Sequence, residues 1–266
     1  MSTRRIAVRV EYDGTDHHGW QSQPTAVPTI QNALEAALAA VTGQPIRVDG
    51  ASRTDAGVHA LDQLAAFDLD HPIRPEGLVK AANRRLAPAI AIRDPRVVAP
   101  GFNPRFANRG KIYLYRLYTG RVPRPLIDRH AWRVPWPLDE AAMTAAAADL
   151  IGTHDFTSFA ARDGTHHSAV RTLTRITFER DRHGVTELRV EGTAFLKHMV
   201  RNLVGTLVDI GRGHRPIAAM RTILAARDRS RAGPTAPGHG LCLERMLIDE
   251  AAFTGDGSGT GEAGET

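Results

Sequence analysis

Residues 6–14, IAVRVEYDG, set the frame in which the rest of the chain is read. Ile6, Val8 and Val10 alternate with Ala7, Arg9 and Glu11, the period of a strand with one face in a core. After a loop punctuated by Gly and Pro, the spacing turns helical over 29–42. Ile30, Leu34, Leu38 and Val41 share one side there, and Thr29 is placed to cap the first turn. Short strands over 45–50 and 60–69, a helix over 75–86 and a strand over 89–99 follow. The order then repeats: a strand over 110–119 containing KIYLYRLYTG, a helix over 138–150 starting near Asp139, and strands over 170–180 and 184–193. Arg182-His183-Gly184 joins the last two as a hairpin turn, and a long helix runs over 194–212. Strand, helix, strand, strand, helix thus occurs twice. This predicts an α+β protein made of two ferredoxin-like, RRM-like halves packed into one continuous, mostly antiparallel sheet flanked by helices. The halves divide as 1–105 and 106–248. Residues 249–266 form an acidic, Gly-rich tail that is expected to be disordered, and its G-x-G-x-G spacing lacks the strand and helix of a nucleotide-binding loop.

Composition narrows the function classes. With 266 residues, 42% of them apolar and 24% charged, the chain can bury a substantial core, and it has no apolar run long enough to cross a membrane. MSTRRIAVRV enters a strand directly, without the apolar stretch of a secretory signal. The single cysteine, Cys242, excludes an intramolecular disulfide framework and a cysteine zinc cluster, and a cytoplasmic setting is expected. The net charge of +5 includes five carboxylates and no base in residues 249–266, so residues 1–248 carry +10. From Arg93 to Arg133 there are ten Lys or Arg against Asp94 and Asp128, with Tyr113, Tyr115 and Tyr118 among them. Cations interleaved with aromatics suit a phosphate backbone and exposed bases, so a nucleic acid is the expected partner.

GASRTDAGVHA (50–60) holds one carboxylate, Asp55, among small residues, two positions after Arg53. Asp-x-Gly is ordinary turn chemistry, and taken alone the stretch reads as a turn more readily than as a site. In AFLKHMVRNLVGTLVDI (194–210), a helical wheel puts Phe195, Leu196, Met199, Val200, Leu203, Val204 and Leu207 on one face. Lys197, His198, Arg201, Asn202 and Gly205 fall on the other, a positive stripe whose small residue would admit a polyanion or a carboxylate. Arg201, anchored by the apolar face, is suited to orient a carboxylate through paired hydrogen bonds. His17-His18 and His166-His167 lack metal-ligand spacing, so no metal is expected, and no G-x-S-x-G elbow is present. HDFTSF (154–159) reads as a structural loop that contributes two aromatics to the core.

Several of these segments together resemble the tRNA pseudouridine synthase A family. GASRTDAGVHA is similar to its catalytic loop, EYDGTDHHGWQSQ to its N-terminal segment, KIYLYRLY to its tyrosine-bearing strand, HDFTSF to its central motif and FLKHMVRNLVG to its late basic helix. They occur in order over about residues 5–245. The resemblance implies an enzyme that isomerises uridine to pseudouridine in the anticodon stem-loop of tRNA, at positions 38 to 40. It also implies a homodimer that uses neither cofactor nor metal. Carried over, Asp55 is the catalytic aspartate, Tyr113 packs on the target base, Arg201 pairs with the aspartate and Arg53 helps hold the base out of the stack. The apolar pocket residue is Leu243, with Leu241 of the same GLCLERM segment as the alternative. Two departures stand out: Ser52 replaces the usual glycine, and His17-His18 stands where an aromatic is common. Neither is expected to touch the acid, the tyrosine or the basic helix.

The reaction breaks the N1–ribose bond of uridine, turns the ring and rejoins it through C5, which requires the nucleotide to leave the stack. Small residues around Asp55 would let a backbone approach, and the Tyr113 ring would support the uracil. Three roles stay open for Asp55: attack at C1′, addition at C6, or removal of the C2′ proton. Two other readings compete, a non-catalytic RNA-binding protein of two RRM-like halves and a nucleoside hydrolase using Asp55 alone.

Overall fold

The computed structural model describes residues 3–25, 27–165 and 167–249. The tail from residue 250 onward, and His166, lie outside the described residues. Ten strands and five helices follow in the order β1 (Arg4–Tyr12), α1 (Ile30–Thr42), β2 (Val48–Gly50), β3 (His59–Leu69), α2 (Pro75–Leu86), β4 (Ile90–Val98), β5 (Asn108–Thr119), β6 (Trp132–Val134), α3 (Glu140–Ala148), β7 (Gly152–Asp155), β8 (Val170–Arg180), β9 (Thr186–Gly192), α4 (Met199–Gly211), α5 (Ala219–Ala226) and β10 (Leu241–Ile248). Local chemistry sets most of the boundaries. Thr29 and Asp139 cap α1 and α3 by accepting from the Asn32 and Ala142 amides. Asp181 organises the β8–β9 turn by accepting from the His183 and Val185 amides, and Gly184 supplies φ +74°.

All ten strands join one sheet with the main order β4-β1-β3-β10-β5-β9-β8-β7, while β2 pairs with β3 and β6 with β5. In the first half, β4-β1-β3-β2 follows the ferredoxin-like arrangement for a strand-helix-strand-strand-helix-strand chain. The second half reproduces it as β10-β5-β9-β8, with β7 added at the edge. The two ferredoxin-like halves expected from element order are therefore present, and the sheet is mostly antiparallel. Its seam is β10, antiparallel to β5 and touching β3 in parallel through Cys242–His59 and Leu243–Ala60. One apolar core runs through both halves, from Leu34, Leu38 and Phe67 to Leu188, Leu203 and Met143. No helix among the described residues is long and apolar enough to cross a membrane.

Two expectations change. The last long helix was expected from residue 194, but α4 starts at Met199. His198 adopts φ +61°, and the Met199 amide bonds to the Leu196 carbonyl, so residues 193–198 form an irregular turn. The helical period extends through Phe195 and Leu196 because both pack on the core, not because they are helical. The polar face of α4 is also not open to a polyanion. Asn202 and Thr206 are fully buried, and a Cβ on Gly205 would meet the Pro234 carbonyl oxygen at 1.8 Å. The glycine admits the chain's own 232–236 segment.

Candidate active site

The loop between β2 and β3 carries Asp55, and it is held from three directions. Gln63, fully buried on β3, accepts from the Ser52 amide at 3.2 Å and donates to the Ser52 carbonyl at 2.5 Å. The Tyr12 hydroxyl on β1 lies 2.8 Å from Thr54 Oγ1, and the Trp20 amide donates to the Thr54 carbonyl. The Gly57 amide donates to His17, with Gly57 at φ +73°, and the Val58 amide closes a turn onto the Asp55 carbonyl. The small residues serve this packing. A Cβ on Gly50 would meet the Trp20 indole at 2.4 Å, and one on Gly14 the Val58 carbonyl oxygen at 2.1 Å. The close approach inferred from the sequence is thus taken up by the protein's own backbone and indole.

Arg201, 146 residues away on α4, donates from Nη1 to Asp55 Oδ2 at 3.0 Å and from Nε to the Ala236 carbonyl at 2.8 Å. The Asp55 side chain is 26% exposed and the Arg201 side chain 16%, so the carboxylate keeps access to the cleft while its partner is fixed behind it. His198 Nε2 lies 3.5 Å from the same oxygen. Burial holds this imidazole below the ordinary histidine value despite the opposing pull of Asp55, with Arg201 and Lys197 adding to the depression. The Tyr113 ring on β5 meets Phe195 edge-on at 5.0 Å, and its hydroxyl lies 3.3 Å from Ser52 Oγ. Burial, aided by the Asp55 charge and opposed by the Ser52 bond, pushes that hydroxyl up to about 12. Tyr113 therefore keeps its proton at neutral pH.

These groups open into a cleft of about 1010 Å³. Asp55, Tyr113 and Arg53 all line it, Arg53 as an exposed side chain with no hydrogen-bond or ion-pair partner among the described residues. The two candidate leucines separate. Leu241 lines the cleft, whereas Leu243 is fully buried between Ala60 and Tyr113 in the sheet and does not. Strand alternation accounts for their neighbour Cys242, but only the β10 seam decides which leucine meets the cleft. Ser52 also departs from expectation, since it touches the tyrosine directly. Sequence reasoning did not single out Phe195 or Lys111 as cleft residues, nor Tyr12, Thr54 and Gln63 as supports for the loop.

Among the described residues, Asp13, His59 and His130 place their ligand atoms within 4.8 Å of one another. Asp13 and His59 are already engaged. Asp13 accepts from Thr15 and from Arg129 Nε, and His59 Nδ1 accepts from the Gly14 amide. A cation there would have to share the carboxylate with a guanidinium, so the cluster serves as a hydrogen-bonded clamp between the 13–17 loop and β3. HDFTSF is structural, as expected. Phe156 and Phe159 are fully buried, Ser158 bonds to the Ile223 carbonyl, and Asn202 of α4 donates to the Phe159 carbonyl.

Residues 8–102 and 146–247 match the family described as tRNA pseudouridine synthase. The tRNA pseudouridine synthase A of Myxococcus xanthus is 43% identical over 261 residues, covering 98% of this chain and 98% of that protein. That of Solibacter usitatus (strain Ellin6076) is 45% identical over 90% of this chain and 97% of its own length. That of Methylobacterium nodulans is 41% identical over 95% and 99%, respectively.

Proposed function

Since the chain belongs to the tRNA pseudouridine synthase family, we propose that it isomerises uridine to pseudouridine in the anticodon stem-loop of tRNA, at positions 38 to 40, through Asp55 and without a cofactor or metal. The observation that carries this reading is the Asp55–Arg201 pair, whose carboxylate lines a cleft that also presents Tyr113. A carboxylate in a partly dry cleft reacts more strongly than one in water, and the guanidinium bonded to Oδ2 fixes its orientation. The target uridine leaves the stack and enters the cleft, where the Tyr113 ring supports its uracil and Leu241 supplies apolar contact. Arg53, exposed at the rim, is placed to grip the strand that the base has left. Asp55 acts at the sugar or the ring to free N1, and the proton lost from C5 after rejoining leaves toward the Tyr113 side of the cleft. Because the Tyr113 hydroxyl is protonated at rest, it can accept that proton only by passing its own to Asp55 or solvent.

The same reading has the enzyme work as a homodimer in the cytoplasm. Val122 and Leu126, 74% and 97% exposed, offer apolar surface to a second copy, and light scattering at micromolar concentration tests for it. The function itself is tested by release of tritium from [5-³H]uridine-labelled tRNA. Wild type releases it and Asp55→Asn does not, while both bind tRNA. Tritium-free binding by wild type would leave an RNA-binding protein, and free uracil among the products would mark a hydrolase.

A further inference from the structure

The charges on the cleft wall do not balance. Its carboxylates are spoken for: Asp49 pairs with Arg5, Asp55 with Arg201 and Asp163 with Lys197. Among the described residues, the side chains of Arg53, Arg105 and Lys111 on the same wall have neither an ion-pair nor a hydrogen-bond partner. Lys111 is the most informative of the three. It is half-buried on β5, between Gly192 of β9 and Met246 of β10, and lies two residues before Tyr113. Alternate residues of a strand share a face, so Lys111 and Tyr113 face the cleft side by side, about 7 Å apart along the strand. Gly192 opposite contributes no side chain, and the space its Cβ would take is filled by the Thr172 carbonyl and Leu173. Burial, reinforced by the charges of Arg105 and Arg171, pushes the ammonium down to about 8. A partly buried cation without a counter-ion costs free energy unless an anion arrives.

We propose that Lys111, with Arg105 beside it, is the binding site for a phosphodiester that flanks the target uridine. The proposal rests on the reading of Tyr113 as the platform for that base. The spacing fits a backbone phosphate one step from a ring stacked on Tyr113. Lysine suits the task as a compact point charge that does not demand a particular orientation of the phosphate. Arg53 lines the same cleft from the loop between β2 and β3, so a further unpaired cation is available to the extruded nucleotide.

The test measures binding of an anticodon stem-loop RNA across salt concentrations, with tritium release measured in parallel. Each phosphate neutralised contributes about 0.7 to 0.9 to the slope of log affinity against log salt. Lys111→Met keeps the aliphatic stem and is expected to reduce the slope by about that amount, weaken binding about tenfold and raise KM more than it lowers kcat. Lys111→Arg retains the wild-type slope. In a second arm, RNAs carry one neutral methylphosphonate on the 5′ or the 3′ side of the target uridine. One of these lowers wild-type affinity by a similar factor, and on that RNA Lys111→Met has no further effect. An unchanged slope, or effects of lysine and methylphosphonate that multiply at both positions, overturns the proposal. The methylphosphonate arm with wild-type protein decides the matter should Lys111→Met fail to fold. Absence of tritium release from wild type would refute the catalytic reading, while the binding slopes would still be read independently.

Discussion

Ser52 Oγ lies 3.3 Å from the Tyr113 hydroxyl, so a side chain of the Asp55 loop is in contact with the ring proposed to carry the target base. A neutral hydrogen bond of this kind contributes about 1 kcal/mol, a factor of about five in an equilibrium or a rate. Ser52→Ala and Ser52→Gly should therefore each lower kcat/KM about fivefold, measured by tritium release. Equal activity of wild type and both variants would show that the hydroxyl contact does not position the ring.

Arg201 holds Asp55 from Nη1 and the Ala236 carbonyl from Nε, two bonds in different directions that a lysine cannot make together. Arg201→Lys and Arg201→Met should both lower kcat by about two orders of magnitude, the scale of losing one fixed charge partner in a catalytic site. tRNA binding by Arg201→Lys should stay within a few-fold of wild type. A near-normal kcat in Arg201→Lys would mean that charge alone is sufficient at this position.

Gly205 lies where α4 meets the 232–236 segment, and an added methyl would stand 1.8 Å from the Pro234 carbonyl oxygen. Backbone cannot yield as a flexible side chain does, so Gly205→Ala should lose about 3 kcal/mol or more, the upper part of the overpacking range. Urea denaturation monitored by circular dichroism reads this as a lower midpoint with an unchanged slope. Because Ala236 also receives Arg201, residual activity should fall further than the folded fraction does.

Burial lowers the folded-state values of His17, His59, His198 and His239. The unfolded chain then binds protons first as pH falls, so these groups contribute stability above the ordinary histidine value of about 6.5 and lose it below that pH. The denaturation midpoint should drop between pH 7.5 and pH 5.5. His59→Gln should start lower, because its bonds to Gly14 and His239 are gone, but should fall less over the same interval. A midpoint independent of pH across this window would contradict the burial of these imidazoles in neutral form.

Much of the fold was legible because helical and strand periods are local. The Ile6–Val8–Val10 alternation, the Thr29 and Asp139 caps and the β8–β9 turn need only neighbouring residues to be correct. Short or partner-dependent elements were not legible: β6, β7, α5 and β10 have too few residues, or too little alternation, to stand out. The start of α4 was misjudged for a related reason. An apolar period reports what is buried, and Phe195 and Leu196 are packed on the core without being helical.

The sequence by itself determined the doubled α+β order and the basic character of the chain, since each is carried by residue type and short-range spacing, and its resemblance to the family implied candidate roles for Asp55, Tyr113 and Arg201. Only the tertiary structure decided that Arg201 reaches Asp55, that Leu241 and not Leu243 meets the cleft, and that Lys111 stands beside Tyr113 without a counter-ion. These relationships depend on the last strand returning between the two halves to seal one sheet. Burial, pairing and uncompensated charge are properties of groups brought together from distant parts of the chain, and no local pattern encodes the distance between them.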